Sequence, residues 1–225
     1  MSSIFGDPTV VDMIVKGIGE TLYMSVVSTL LAYVIGIPMG IVLTVTDKDG
    51  IRPNAFIYKV LDVIVNIVRS IPFLIGLMLL IPFTRWLVGK SYGSTATIVP
   101  LVFCAAPFVA RLVESSLKEV DAGVIEAAKS MGASNWDIIW KVLLVEARTS
   151  LVTEATIAFG TIFGYSSMAG IVGGGGLGDI AIRYGYYRYE AGIMIVCVVL
   201  LVALVQIFQT IGMFIARKVD RRLTH

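Results

Sequence analysis

The sequence predicts an all-α integral membrane protein with five transmembrane helices. Three observations carry this. Of 225 residues, 57% are hydrophobic and only 15% are charged, where a soluble domain holds roughly 25% charged residues. Five uncharged runs hold the excess, at 21–46, 70–84, 91–110, 155–178 and 191–216. The stretch 124–147 breaks the pattern, with Glu126, Lys129, Asp137, Lys141 and Glu146 set among apolar residues.

A span needs about 20 apolar residues, so four of the runs suffice alone. The run 70–84 is too short, and becomes a span if its helix extends back through Arg69 to about Val63. Orientation follows from the basic residues. With the N-terminus outside, the inner segments hold Lys48, Arg52, Lys59, Lys118, Lys129, Lys141, Arg148, Arg217, Lys218, Arg221 and Arg222. The outer segments then hold only Lys16, Arg85, Lys90, Arg183 and Arg188. An N-out, C-in topology is expected, with residues 1–20 external. The region 118–148 is then cytoplasmic, and 1–225 form one transmembrane domain.

Taken in order, 1–20 is short and mixed, with a possible surface helix over 10–18. No cleavable signal is expected, because these residues hold no long apolar core. The first span contains Gly36, Pro38 and Gly40, and the Gly36-x-x-x-Gly40 spacing lets another helix approach closely. The loop from Asp47 through Pro53-Asn54 is rich in turn residues. In the second span Asn66, Arg69, Ser70, Ile71 and Pro72 interrupt an apolar run. A charge at the membrane centre costs about 2.5–3.5 kcal/mol on insertion scales and wants a partner or a wet cavity. Two readings stand: a kinked helix with Arg69 paired to a carbonyl or acid, or a polar break in which Arg69, Ser70 and Pro72 line a pathway.

The third span carries Pro100 and Pro107, then Arg111 and Glu114 at the spacing of a helical pair. The fourth begins near Ser150 and reaches Tyr165-Ser166-Ser167-Met168, followed by Gly173-Gly174-Gly175-Gly176-Leu177-Gly178. A phosphate-cradling loop needs Lys and Ser or Thr after its glycines. Leu177 and Asp179 stand there instead, so nucleotide binding is rejected. What remains is a flexible connection, or a gate built from Tyr165, Ser166 and Met168. The tyrosines of 183–190 read as an aromatic belt or a docking face. The last span ends in the basic anchor Arg217, Lys218, Arg221 and Arg222.

A net charge of +2 gives no reason to expect nucleic acid. Cys104 and Cys197 lie inside apolar runs and read as core residues, and His225 is the only histidine. No metal, cofactor or catalytic constellation is expected, so the chain reads as something other than an enzyme. An ion-coupled carrier would want acids within its spans, and Asp62 and Glu154 lie only near the edges. A passive scaffold leaves the charged stretch unexplained.

That stretch has helical apolar spacing on both sides of Gly132: Val124, Ala127, Ala128 and Met131 before it, then Trp136, Ile139, Trp140, Leu143 and Leu144. Gly132 can end the first helix, and Ser134 or Asn135 can cap the second. By physics alone this is a pair of amphipathic helices at a membrane surface. Glu126-Ala127-Ala128, Gly132 six residues after Glu126 and Leu144 eighteen after it resemble the coupling loop of ABC-importer permeases. That family usually has Ile and Pro where Val142 and Val145 stand here, so the end of the motif departs. Arg69-Ser70-Ile71-Pro72-Phe73 and Ala105-Ala106-Pro107-Phe108 with Arg111 are similar to permeases for amino acids, methionine in particular.

The resemblance implies a permease subunit in the bacterial inner membrane that works by alternating access. It implies a homodimer in lipid, one ATPase subunit per copy on the cytoplasmic side and an external binding protein that delivers substrate. It gives Glu126, Ala127, Ala128 and Gly132 the task of passing ATPase motion to the spans. Hydrolysis of ATP is expected in the partner.

Overall fold

The computed structural model describes residues 8–220, and every regular element among them is helical. Four helices are long and apolar enough to cross a membrane, and a bent pair makes a fifth span if counted as one. Counted with the bent pair as one span, the described residues reach the five spans expected; counted without it, they give four.

Helix α1 (Pro8–Thr46) is one helix of 39 residues. The separate surface helix expected over 10–18 is therefore the first turns of the span itself. Single glycines at 17 and 19 each cost only about 1 kcal/mol of helix propensity. Packing outweighs that, because Ile14 is buried in a cluster with Leu177, Ile180, Ala181, Ile193 and Cys197. Pro38 is accommodated inside the helix.

The second span starts earlier than expected. Asn54 caps α2 (Ala55–Arg69), its side-chain oxygen accepting the Ile57 N–H at 3.1 Å. The helix stops where Pro72 cannot continue it, and α3 (Phe73–Leu79) begins directly after the proline. Helix α4 (Ile81–Val88) follows, with Pro82 in its first turn and Gly89 at φ +80° closing it. The apolar run 70–84 is thus cut twice rather than forming one span.

Helix α5 (Ser94–Lys118) runs through both its prolines. Then come α6 (Ala122–Ser130), α7 (Asn135–Asp137), a π-helical segment (Ile138–Leu143), α8 (Leu144–Glu146) and α9 (Arg148–Met168). A 3-10 turn (Ala169–Val172), α10 (Gly176–Ile180), a second π segment (Ala181–Tyr186) and α11 (Ala191–Val219) complete the chain. The tyrosine-rich connection is thus partly helical, and Tyr186, Tyr187 and Tyr189 stay exposed.

The chain divides into two compact units, through which α1, α5, α9 and α11 all pass. The first unit is Met1–Leu31 (described from Pro8), Ile71–Ala105 and Phe159–Gln209. It holds the glycine segment, which is pinned rather than flexible. The Glu20 carboxylate accepts the Gly176 N–H at 2.8 Å and Thr21 Oγ1 accepts the Leu177 N–H at 2.9 Å. The Gly93 N–H reaches Gly173 O at 2.9 Å. Gly170 and Gly178 bring backbones together so closely that a Cβ on Gly178 would lie 2.1 Å from Ser167 O.

The second unit is Ala32–Ser70, Ala106–Ala158 and Thr210–His225. Leu43, Val65 and Ala110 form its small buried cluster. The Gly36 and Gly40 spacing does what its pattern allows: a Cβ at either would meet Val109 or Val113 at 2.6 Å. Cys104 and Cys197 are free thiols.

Candidate functional site: a charged helical stretch and a polar break

In the second unit, the stretch 118–148 folds as two short helices on a tight turn. Asp121 starts α6, its Oδ1 accepting the Gly123 N–H at 2.7 Å. The helix ends in a Schellman arrangement: the Ala133 N–H bonds Ala128 O and the Gly132 N–H bonds Lys129 O, with Gly132 at φ +79°. The glycine is needed there because side chains disfavour that backbone region. Of the two expected caps, Ser134 is the one used, its Oγ accepting the Asp137 N–H at 3.1 Å.

The apolar stripe divides between two directions. Ala128, Ile138 and Leu143 are buried inside the chain. Glu126, Ala127, Val124, Met131, Trp136 and Trp140 are exposed, and the two tryptophan rings lie 5.4 Å apart. An exposed apolar group of this size, with charges beside it, suits a membrane surface or a docking partner. Lys141 pairs with Asp137 at 2.5 Å. That contact, with Ser134, holds the Asp137 carboxyl below its ordinary range. The π-helical turn leads into α9 with little break, since Ala147 N bonds Leu143 O and Leu151 N bonds Ala147 O.

In the same unit an ion network ties α2 and α5 to the turn after α1. Arg111 donates to Asp62, to Asn66 Oδ1 at 3.0 Å and to Glu114 at 2.6 Å. Lys118 bridges Glu114 at 2.8 Å and Asp47 at 2.6 Å. Glu114 is buried, and two cations compensate it, as a buried charge requires. The expected Arg111–Glu114 pair is present. Its extension to Asp47, Asp62, Asn66 and Lys118 goes beyond the pair that helical spacing predicts. The polar spacing 59, 62, 66 and 69 along α2 was the available signal.

At the end of α2, Arg69 and Ser70 are exposed, and the Ser70 hydroxyl donates to Asn66 O at 2.8 Å. Arg69 has neither the acid nor the carbonyl partner that a merely kinked helix would give it, among the described residues. Pro72 is exposed and precedes α3.

In the first unit, Tyr165 stacks on Phe73 with ring centroids 4.5 Å apart and planes 3° from parallel. Ser166 is buried, its hydroxyl 3.1 Å from Ser25 Oγ and donating to Phe163 O at 2.8 Å. Met168 is 47% exposed. No group of metal-ligating side chains occurs among the described residues.

Three comparisons bear on this arrangement. The model of the family described as "Binding-protein-dependent transport system inner membrane component" matches residues 32–225. The probable D-methionine transport system permease protein MetI of Vibrio cholerae is 49% identical over 211 residues, which is 94% of each chain. The D-methionine transport system permease protein MetI of Escherichia coli K12 is 51% identical over 158 residues, covering 70% of this chain and 73% of its own. The inward-facing MetNI methionine ABC transporter superposes with a TM-score of 0.94 at 49% identity, over 96% of this chain and all of that one. An amino acid ABC transporter with histidines shares the fold alone, at 18% identity and a TM-score of 0.78, over 96% of this chain and 98% of that one. The chain belongs to the family of binding-protein-dependent transport system inner membrane components.

Proposed function

We propose that the chain is the membrane permease subunit of an ATP-driven importer that carries an amino acid, methionine, by alternating access. The observation that supports this best is the 49% identity to a MetI permease across 94% of both chains. ATP hydrolysis then belongs to a separate subunit. A second copy, an ATPase subunit per copy, an external binding protein and surrounding lipid complete the working assembly.

The topology read from the basic residues is N-out and C-in, so 118–148 faces the cytoplasm. Glu126, Ala127, Ala128 and Gly132 then form the coupling knob. Its exposed Val124, Met131, Trp136 and Trp140 supply the apolar part of the docking face, and Gly132 sets the angle at which α6 is presented. Arg69, Ser70 and Pro72 are pathway residues, and so are Tyr165 and Met168. Ser166, bonded inside its own unit, supports the segment that carries Met168.

The test is uptake of a panel of labelled amino acids by the complex reconstituted with its ATPase and binding protein. Methionine uptake that depends on ATP and on the binding protein is the expected result. A complex that hydrolyses ATP but accumulates no amino acid sinks the reading.

A further inference from the structure

We propose that the Arg69 guanidinium takes the carboxylate of the transported amino acid as it passes. The inference rests on the permease reading above and assigns a ligand chemistry to one side chain of the pathway.

Its first support is a pattern. Lys59, Asp62, Asn66, Arg69 and Ser70 fall within an arc of about 100° on α2 at helical spacing. They make a polar track along a helix whose other side exposes Phe56, Val60, Ile64 and Ile67. An exposed apolar side suits lipid. A polar track beside it suits water, because a span keeps polar groups only where they are paired or face a wet cavity.

The second support is how that track is occupied. Asp62 and Asn66 are both held by Arg111, Asn66 also donates to Asp62, and the Ser70 hydroxyl is spent on Asn66 O. Arg111 and Glu114 neutralise each other deeper in the same unit. Arg69, at the end of the track, is exposed and has no partner among the described residues. The last turn of a helix favours a cation through its dipole, which lets Arg69 stand there without neutralising it. A full positive charge is thus left open where the helix breaks.

The third support is chemical. Every free amino acid carries a carboxylate, whatever its side chain. The planar guanidinium fork matches a carboxylate with two parallel hydrogen bonds, and a lysine cannot reproduce that geometry.

The experiment uses the reconstituted complex with wild type, Arg69→Lys and Arg69→Gln, and measures uptake over the amino acid panel alongside assembly with the ATPase by size exclusion. The expected result is assembled complexes, with uptake lowered at least about tenfold by Arg69→Gln and an intermediate rate for Arg69→Lys. Uptake by Arg69→Gln equal to wild type overturns the proposal and leaves Arg69 as a helix-end charge. Loss of assembly in both variants also overturns it, and assigns Arg69 to pairing with the second copy. A wild type that carries no amino acid fells the permease reading itself, so the two failures are distinct.

Discussion

The carboxylate of Glu20 accepts the backbone N–H of Gly176 at 2.8 Å, joining positions 156 apart in sequence. Beside it, Thr21 Oγ1 takes the next N–H, that of Leu177. These are the first free donors of α10, so one turn of α1 caps a helix formed much later in the chain. Glu20→Ala leaves one donor unmet, which costs about 1–3 kcal/mol when buried. The expected outcome is faster amide hydrogen exchange at Gly176 and Leu177 with little change in α11. Unchanged protection at those two amides would show that the cap does not hold the segment.

The glycines of this unit are not interchangeable. A Cβ on Gly178 would sit 2.1 Å from Ser167 O, a backbone atom that cannot move aside cheaply. A Cβ on Gly164 meets nothing within 4 Å. Gly178→Ala is expected to destabilise by about 1–3 kcal/mol, as overpacking does. Gly164→Ala is expected to be neutral or to stabilise by up to about 1 kcal/mol. Thermal unfolding of the two variants in detergent checks the pair, and equal melting temperatures would contradict the close approach.

Much of this was legible in the chain, for physical reasons. Uncharged runs of 20 or more residues mark spans because the membrane requires them, and α5, α9 and α11 follow. The turn at Gly132 and the cap at Ser134 were readable because their chemistry is local. What escaped was long-range. Nothing near Gly173 to Gly176 reveals that Glu20 and Thr21 wait for them, so the segment reads as flexible by composition. The network from Asp47 to Asp62 likewise joins two helices, α2 and α5, to the turn after α1, and spacing along one helix showed only its Arg111–Glu114 member. The division of the 124–144 stripe between buried Ala128 and exposed Ala127 depends on what α6 packs against, which periodicity does not say.

The contact of Asp47 with Lys118 at 2.6 Å gives a pH dependence with a definite sign. The hydrogen bond from Lys118, with help from Lys48, holds the Asp47 carboxyl below its ordinary value of 3.8. A carboxyl depressed on folding adds stability that is fully present above its unfolded value and is lost as pH falls through its folded value. Asp47→Asn should therefore melt at a lower temperature than wild type at pH 6–7. The gap should close on going below about pH 4. A gap that stays constant to pH 3 would mean that Asp47 acts through packing rather than charge.

The exposed face of α6 gives the sharpest test of the coupling role. Ala127 is exposed and Ala128 is buried, so the two small residues do different work. A large side chain at Ala128 would displace α6 within its own chain and confuse folding with docking. Ala127→Trp adds bulk only on the outside and should leave the melting temperature of the permease near that of wild type. It should nonetheless weaken ATPase association by about tenfold or more, the scale of a lost contact at the centre of an interface. Methionine uptake should fall in step. Gly132→Val acts differently, because a β-branched residue at φ +79° is strained. It should lower both the melting temperature and ATPase association, by re-aiming α6. Pull-down of the ATPase on each purified variant, read beside its melting curve, separates the two effects. If Ala127→Trp holds the ATPase as tightly as wild type and still couples hydrolysis to uptake, the stretch between α5 and α9 is only a connection.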